Sequence, residues 1–519
     1  MKGITLIFIL FHLSVLSQSI DVQSYTIDII VSDENDKIEA TNSILIKFDE
    51  TCEFFTLDLI SQGENGYGML VTKVLLSAQD LRFEQINDSL LIYPDGISKG
   101  DIRTFDISYE GIPKDGLVIG KNKYGNRTIF GDNWPNRARN WFPCVDHPSD
   151  KATINYRITH PDHYTCVANG KLAAKESNTD KQTTTIYKST IPLPTKVMVF
   201  GLAALYSDTI TNENGPEHIN WVYPEDSQKG FFDLKVAGKP LAFYSKNIGP
   251  YPYEKLYNVQ STTRFGGMEN AGCIFYDENA FHGKGTMENL IAHEIAHQWF
   301  GNSATETDWQ HLWLSEGFAT YFTSLYLENE YGTTAMNKQL KKERERVIKF
   351  HHLVKLPVVD TITTDLMKLL NPNAYQKGAW ILHMLRNKLG DTVFWNGIRN
   401  YYQNFEFKNA ATNDFINTME KTCGCELNDF MDPWLKETGH PMLKVETKTK
   451  ARSTCLRIVQ VQNNYIYNFP IEIELTYKDG SKELKIIDIG DKKTEIQTEK
   501  IIDSFVVDPN VKLLFEKVI

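Results

Sequence analysis

Apolar and polar residues alternate in short segments over the first two fifths of the chain. Residues 25–31 and 43–48 both show this period of two, and a turn-forming stretch at 33–36 separates them. Further alternating segments lie at 102–109, 153–159, 184–191 and 196–204. Alternation of this kind is typical of half-buried β-strands. The pattern therefore predicts an all-β unit over residues 20–205.

The period then lengthens to that of α-helices over residues 206–440. Predicted helices lie at 232–247, 289–300, 320–331, 334–351, 375–389, 412–424 and 426–436. From residue 441 to 519 the period returns to two. The segments 471–477 and 484–489 flank an Asp-Gly turn and predict a hairpin. The fold class expected is multidomain α+β, with the helical unit between two β units.

The first nineteen residues have the organisation of a secretory signal peptide. Lys2 supplies the positive charge, residues 4–16 are apolar, and Ser17-Gln-Ser19 is a small-x-small cleavage site. We expect export, either periplasmic or secreted, with the mature chain starting near Ile20. An uncleaved anchor is the alternative, but the apolar stretch is short for a membrane span. No later segment predicts a transmembrane span in the mature chain.

Composition narrows the class of partner. The chain has 519 residues and a net charge of −11, without a basic cluster, which argues against nucleic acid. Its 7 cysteines are sparse for this length, so a disulfide-built scaffold is not expected, and their odd number leaves at least one unpaired. The sequence leaves disulfide pairing and oligomeric state open.

One stretch carries metal chemistry, the His-Glu-Ile-Ala-His segment at 293–297. Histidines four residues apart lie on one face of a helix, so His293 and His297 can bind one metal ion. Neutral imidazoles suit zinc, and a catalytic zinc site takes three protein ligands plus water. Glu294 lies beside the first histidine, where it can reach an activated water. A surface helix with two solvated histidines is the alternative interpretation.

The flanking sequence favours the metal site. Thr286 is a candidate N-cap and Gly301 a candidate C′ residue for a helix that is apolar on most of its circumference. Such a helix belongs in a core, where its charged residues need partners. Glu316 begins a second apolar helix shortly afterwards and is the candidate third ligand.

Four separate segments now resemble one family. They read HEIAHQWFGN at 293–302, WLSEGFA at 313–319, FGGMENAG at 265–272 and AYQKGAWILHML at 374–385. The chain is similar in these segments to the aminopeptidase N family of zinc metallopeptidases, gluzincins related to leukotriene hydrolase. The resemblance implies one zinc ion bound by His293, His297 and Glu316. It also implies that Glu294 is the general base and that Tyr375 stabilises the oxyanion.

The same resemblance implies a substrate-binding strand. Glu269 would bind the free α-amine of the peptide, and the backbone of Gly266, Gly267 and Met268 would run beside the substrate. Family members usually carry Gln or Glu before the Phe-Pro-Cys segment at 142–144 as a second contact to the amine. Here those positions are Asp132 and Trp134. We expect Asp132 to be the replacement.

The family also implies an architecture. It comprises an N-terminal saddle of β-sheets (20–205), a thermolysin-like catalytic domain (206–440) and a small C-terminal β-sandwich (441–519). Many family members continue into a helical domain that roofs the cleft. We expect none here, and therefore a cleft that is open or closed by a second subunit.

The function predicted is an exported zinc aminopeptidase that acts on peptides with a free N-terminus. Two alternatives stay open. One is a zinc endopeptidase or another hydrolase on the same scaffold, and the other is a non-catalytic binding protein. The preference for the first side chain is not readable from the sequence.

Overall fold

The computed structural model describes residues 20–210, 215–450 and 453–518. The predicted signal peptide, residues 1–19, lies outside them. Strands make up the regular structure up to residue 222, helices dominate from there to 436, and strands follow again. Buried apolar side chains form one core under the N-terminal sheets and a second one that runs through the helices into the C-terminal strands.

The N-terminal part contains three sheets. Its strands are β1 Ile20–Ile30, β2 Ile38–Phe48, β3 Phe55–Asp58, β4 Gly68–Leu76, β5 Gln79–Asp80, β6 Arg82–Ile86, β7 Ser89–Tyr93, β8 Ile102–Ile112, β9 Leu117–Lys121, β10 Arg127–Gly131, β11 Lys151–Pro161, β12 Thr165–Ala168, β13 Lys171–Ser177, β14 Gln182–Lys188, β15 Leu193–Pro194 and β16 Phe200–Ala203. The orders are β13-β14-β11-β1-β2-β8-β4-β5 (with β15 on β11), β12-β16-β10-β9 and β3-β7-β6. Alternation explains the long strands, since Val22, Tyr25, Ile27 and Ile29 of β1 are all buried. The predicted all-β unit is confirmed.

The central part combines a mixed sheet with a helical body. Its strands are β17 Tyr206–Ile210, β18 Glu217–Val222, β19 Lys255–Ser261, β20 Gly267–Met268, β21 Cys273–Asp277, β22 Thr305–Glu306 and β23 Asn409–Ala410. Its helices are α1 Ser227–Leu234, α2 Gly238–Asn247, α3 Glu288–Ala296, α4 Trp313–Tyr331, α5 Thr333–Leu353, α6 Gly378–Leu389, α7 Asp391–Phe405, α8 Thr412–Cys423 and α9 Asn428–Lys436. The sheet order β17-β18-β19-β21-β20 leaves the short strand β20 at an edge.

The C-terminal part is a pair of small sheets. Its strands are β24 Met442–Lys450, β25 Ser453–Gln460, β26 Phe469–Tyr477, β27 Lys482–Ile489, β28 Lys493–Thr498, β29 Ile502–Val507 and β30 Glu516–Val518. They form the sheets β28-β25-β24-β30 and β27-β26-β29. The predicted hairpin is β26–β27, turning at Gly480 with a φ of +81°. After α9, every regular element of the described residues is a strand.

Several predicted details differ. The helix expected at 232–247 is broken into α1 and α2 by a 3₁₀ turn at Lys235–Ala237. The helix α7 was missed. Cys423 and Cys425, whose pairing the sequence left open, form a disulfide across one residue. No helix within the described ranges has the length and apolar character needed to cross a bilayer.

Candidate active site

The helix α3 carries the first three site residues into the core. Ile291, Ala292, Ile295 and Ala296 are fully buried along one side of it, which holds the helix in one orientation. The structure ends α3 at Ala296, earlier than expected, and Met287 rather than Thr286 flanks its start. The chain tightens after His297 because Gln298 and Trp299 donate to carbonyls three residues back.

Two histidines and one carboxylate converge at a single point. The Nε2 atoms of His293 and His297 lie 3.1 Å apart. The Oε2 atom of Glu316, from the first turn of α4, lies 3.4 Å from the first and 3.3 Å from the second. Three ligands at zinc distances in tetrahedral geometry are separated by about 3.4 Å. The triangle therefore has the dimensions of a zinc ligand set.

Hydrogen bonding of these side chains supports the same fit. The Nδ1 atom of His297 lies 3.1 Å from the carbonyl oxygen of Phe300, which can only accept, so the ring hydrogen sits on Nδ1. The Nε2 atom, when deprotonated, then directs its lone pair toward the triangle. The Oε2 atom of Glu316 is buried and has no hydrogen-bond partner within the described part of the chain. A divalent cation would satisfy both atoms.

Three buried carboxylates surround this point. Oxygens of Glu269 and Glu294 lie within 4.8 Å of each other and of a His297 ring nitrogen. Burial, with the neighbouring acids, raises the pKa of both Glu269 and Glu294. Burial would lower the pKa of His297, but the carboxylates, led by Glu316, raise it to about 10. Burial would also raise the pKa of Glu316, but the histidines, His297 first, hold it below its ordinary value.

Tyr375 lies against the ligand triangle. Its ring is parallel to that of His293, with the centroids 6.0 Å apart. Burial raises the pKa of its hydroxyl well above the ordinary value, and the charge of Glu316 adds to this. The residue lies in a π-helical turn, Asn373–Lys377, rather than in the α-helix expected from 375. The turn follows Pro372, whose carbonyl accepts a hydrogen bond from the amide of Lys377.

Two glycines bring Tyr375 into place. The Cα atoms of Gly317 and Gly378 meet where α4 crosses the start of α6, and a Cβ on Gly378 would lie 3.0 Å from the Cα of Gly317. Helices approach this closely only where side chains are absent. The crossing therefore sets the distance between Tyr375 and the ligand Glu316.

The predicted substrate strand is β20. Gly267 and Met268 pair with β21 through Tyr276 and Phe275 on one side, and the sheet order leaves the other side open. A Cβ on Gly267 would overlap the carboxylate of Glu294, so only glycine allows this backbone so near α3. The carbonyl of Gly266 accepts from the amide of Asp277 at 3.0 Å.

The carbonyl of Glu269 is fixed by two side-chain amides that sequence reasoning missed. Gln298 Nε2 donates to it at 2.9 Å and Asn302 Nδ2 at 2.6 Å. Both residues follow the second histidine within the 293–302 segment. Their polar character among buried aromatic residues is the signal that could have identified them.

Asp132 lies outside the cleft. It is fully buried, its Oδ1 pairs with Arg137, and its Oδ2 accepts from the backbone amide of Arg264 at 3.2 Å. Trp134, two residues further on, lines the cleft instead. The sequence position was near the site, but the backbone turns the carboxylate toward Arg137.

The cleft encloses about 50 Å³ and is lined by both catalytic-type and apolar residues. They are Trp134, Phe265, Gly267, Met268, Glu269, His293, Glu294, His297, Glu316, Leu370 and Tyr375. The structure thus brings together every predicted site residue except Gly266 and Asp132. A helical His-Glu-x-x-His pair with a carboxylate from the next helix is the arrangement of the gluzincin metallopeptidases.

Comparison with known proteins agrees with this arrangement. Residues 232–434 match the model of the peptidase family M1 domain, and residues 21–197 match that of the peptidase M1 N-terminal domain. The chain belongs to peptidase family M1.

Curated relatives include glutamyl aminopeptidase of Sus scrofa, 30% identical over 61% of this chain and 35% of that protein. Probable aminopeptidase 2 of Sulfurisphaera tokodaii is 27% identical over 82% of this chain and 56% of its own. The chain thus spans about a third of the glutamyl aminopeptidases it matches and about half of the archaeal protein. Aminopeptidase A of Legionella pneumophila, solved with aspartic acid, shares the fold with a TM-score of 0.83 at 18% identity, over 98% of this chain and 60% of that one.

Proposed function

We propose that this protein is an exported zinc aminopeptidase that removes N-terminal residues from peptides. The observation that carries the proposal is the position of Glu269. Its buried carboxylate lies within 4.8 Å of a ring nitrogen of His297 and has an oxygen without a hydrogen-bond partner in the described chain. A buried, unpaired carboxylate beside a metal triangle suits a substrate ammonium group.

The distance between Glu269 and the ligand triangle explains exopeptidase action. An ammonium bound to Glu269 leaves room for one α-carbon before the carbonyl reaches the metal ligands. A peptide extending past its own N-terminus would have to displace Glu269, which is only 5% exposed. We therefore favour an aminopeptidase over an endopeptidase, which needs a cleft open on both sides of the metal site.

The proposed ligands are His293, His297 and Glu316. When bound there, zinc supplies Lewis-acid polarisation of the scissile carbonyl and activation of the attacking water. The 3.1–3.4 Å triangle and the unpartnered oxygen of Glu316 support this assignment.

Glu294, Tyr375 and strand β20 carry the remaining steps. Glu294 accepts a proton from the water as it adds to the carbonyl, and passes that proton to the nitrogen of the breaking C–N bond. The hydroxyl of Tyr375 donates to the oxyanion as it forms. The open edge of β20 pairs with the extended substrate backbone, as an added strand pairs with a sheet edge.

Export is proposed from the sequence of residues 1–19, with cleavage before Ile20. Expression with and without these residues, followed by N-terminal sequencing of the exported fraction, tests it. A chain that keeps Met1 and stays inside the cell would contradict export.

The decisive experiment compares free and blocked substrates. Amino-acid amides with a fluorogenic leaving group should be cleaved, and their N-acetyl forms should be refused. Glu269→Gln should abolish this selectivity along with most activity, whereas Glu345→Gln, an exposed site on α5, should change neither. Efficient cleavage of acetylated peptides would instead establish an endopeptidase.

Metal content gives an independent readout. His297→Ala should lose bound zinc, while Glu294→Gln should keep it and lose activity by about 100-fold or more. Wild-type protein that binds no zinc after reconstitution would revive the non-catalytic alternative.

A further inference from the structure

The cleft lining divides into two chemically different sets. One consists of the histidines and glutamates that the proposed reaction uses. The other is apolar and consists of Trp134, Phe265, Met268 and Leu370. Trp134 and Met268 are each only 2% exposed. The apolar set has no part in the proposed chemistry, so it is free to contact substrate.

Trp134 is held rigidly within this apolar set. Its ring packs edge-to-face against Trp309 at 5.7 Å and against Phe265 at 6.1 Å. Its carbonyl accepts from Nε of Arg137 at 2.7 Å. Aromatic contacts on two sides and a fixed backbone leave the indole little freedom. The apolar set is therefore preformed around Trp134.

The cleft lining contains no lysine or arginine. Two arginines close to the apolar set are each paired with an acid. Arg137 pairs with Asp132 and Asp115. Arg264 also pairs with Asp115 through two nitrogens. An acidic substrate side chain would thus compete with Asp115 and Asp132 for these arginines.

A buried lysine is also occupied. Lys196 pairs with Glu306, and both side chains are at most 1% exposed. Because neither partner can turn away without leaving the other charge buried and unpaired, this lysine is not available to a ligand.

The proposed function fixes where the first side chain goes, and the inference rests on that function. The substrate amine lies at Glu269 and the scissile carbonyl at the ligand triangle. The α-carbon between them must direct its side chain to the part of the lining that neither group occupies, which is the apolar set.

We propose that Trp134 is a specificity-determining residue and that the enzyme removes aliphatic and aromatic N-terminal residues in preference to acidic ones. Burying a carboxylate against this set, with three glutamates nearby and only the neutral indole N–H of Trp134 lacking a partner among the described residues, carries a large desolvation cost. The preference would differ from that named in the glutamyl aminopeptidases and from the aspartic acid bound to the Legionella protein.

The test is a panel of leucine, phenylalanine, glutamate and aspartate amides, all with one fluorogenic leaving group, run on the zinc-loaded full-length protein. We expect kcat/KM for leucine and phenylalanine to exceed that for the acidic pair by about 100-fold. Equal or greater cleavage of the acidic substrates would overturn the inference while leaving the aminopeptidase proposal intact.

Substitutions of Trp134 test whether this residue determines the substrate preference. Trp134→Ala should lower kcat/KM for the phenylalanine substrate by about 10-fold or more, and should therefore reduce the ratio of kcat/KM for phenylalanine to kcat/KM for glutamate. Trp134→Phe should keep this ratio. Trp221→Gln, at an indole outside the cleft, should leave it unchanged. An unchanged ratio in a folded Trp134→Ala protein would refute the role of Trp134.

A binding measurement separates the two proposals if no substrate is cleaved. Calorimetric titration of the zinc-loaded protein with free leucine and free aspartate reports the pocket directly. Tighter leucine binding without turnover would support the pocket and contradict the aminopeptidase. Tighter aspartate binding would overturn the pocket.

Discussion

Glu343 is a buried carboxylate on α5 whose ionisation should set the pH dependence of stability. It is 1% exposed. Its Oε1 accepts one hydrogen bond, from Gln339 Nε2 at 2.9 Å, and its Oε2 has no partner among the described residues. Burial raises the pKa of Glu343 from 4.5 to about 8. The folded protein therefore holds this proton more tightly than the unfolded chain does.

The sign follows from proton linkage. A carboxyl group with a raised folded-state pKa contributes its full stability below the unfolded pKa of 4.5, and this contribution is lost as pH rises toward the folded value of about 8. Each pH unit between these limits is worth about 1.4 kcal/mol. At neutral pH the cost of keeping Glu343 protonated is therefore about 3 kcal/mol, and at about pH 5.5 it is only about 1 kcal/mol.

Glu343→Gln removes the titration and keeps the shape. The amide oxygen can still accept from Gln339, and the new amide hydrogen can reach Ser324, whose buried hydroxyl also lacks a partner within the described chain. We expect the variant to gain stability relative to wild type as pH rises, by about 2 kcal/mol between about pH 5.5 and 7.

The assay is urea unfolding followed by circular dichroism at several pH values in this range. Glu345→Gln, two residues away on the exposed face of α5, is the matched control and should show no pH-dependent gain. If the difference in free energy of unfolding between Glu343→Gln and wild type stays constant or shrinks as pH rises, the assignment of a raised pKa to Glu343 is refuted.

Two further predictions concern Tyr375. Tyr375→Phe keeps the ring beside His293 but removes the hydroxyl, so kcat should fall by about 100- to 1000-fold with zinc content unchanged; a fall below tenfold would exclude the oxyanion role. Gly378→Ala should force α6 away from Gly317, lowering the free energy of unfolding by about 1–3 kcal/mol and also lowering kcat. The control Gly238→Ala, with no atom within 4 Å of the added Cβ, should be neutral or stabilising, and equal behaviour of the two variants would contradict the crossing argument.

Local periodicity predicted the elements that one buried face defines. The predicted segment 25–31 overlaps β1, and the predicted segments 471–477 and 484–489 lie in the hairpin β26–β27. They could be predicted because alternate side chains such as Ile27, Ile29 and Ile473 enter a core. The ligand triangle could be predicted from the sequence because His293 and His297 lie one turn apart and Glu316 begins the next apolar helix. In each case the spacing of the residues along the sequence determines how their side chains are arranged in space.

Features that depend on contacts between two distant segments could not be predicted from the sequence. The helix α7 was missed because Gly397 weakens its helical pattern; the structure explains that glycine by the side chain of Met419, which packs where a Cβ would be. Trp134 and Asp132 both precede the same Phe-Pro-Cys segment, and only the turn held by Arg137 decides which one reaches the cleft. The domain limits near 205 and 440 stay predictions.

Buried lysines are the largest departure from what composition suggests, and they relate the N-terminal sheets to the site. Lys255 is 1% exposed and donates to the carbonyls of Ala168 and Gly272. Lys151, on β11, donates to the carbonyls of Asn302 and Ser303. Sequence patterns assign such residues to solvated surfaces, because lysine is rarely buried without a partner.

These lysine contacts hold the part of the cleft near Glu269 rather than the residues of the ligand triangle. Lys151 fixes the turn whose Asn302 holds the carbonyl of Glu269, and Lys255 fixes the carbonyl of Gly272, in the turn three residues after Glu269. The ligand triangle, by contrast, is built wholly from α3 and α4. Under the proposed function, metal binding would thus be a property of the helical body, whereas the position of Glu269, and with it the selectivity for a free N-terminus, would depend on how the N-terminal sheets pack against that body.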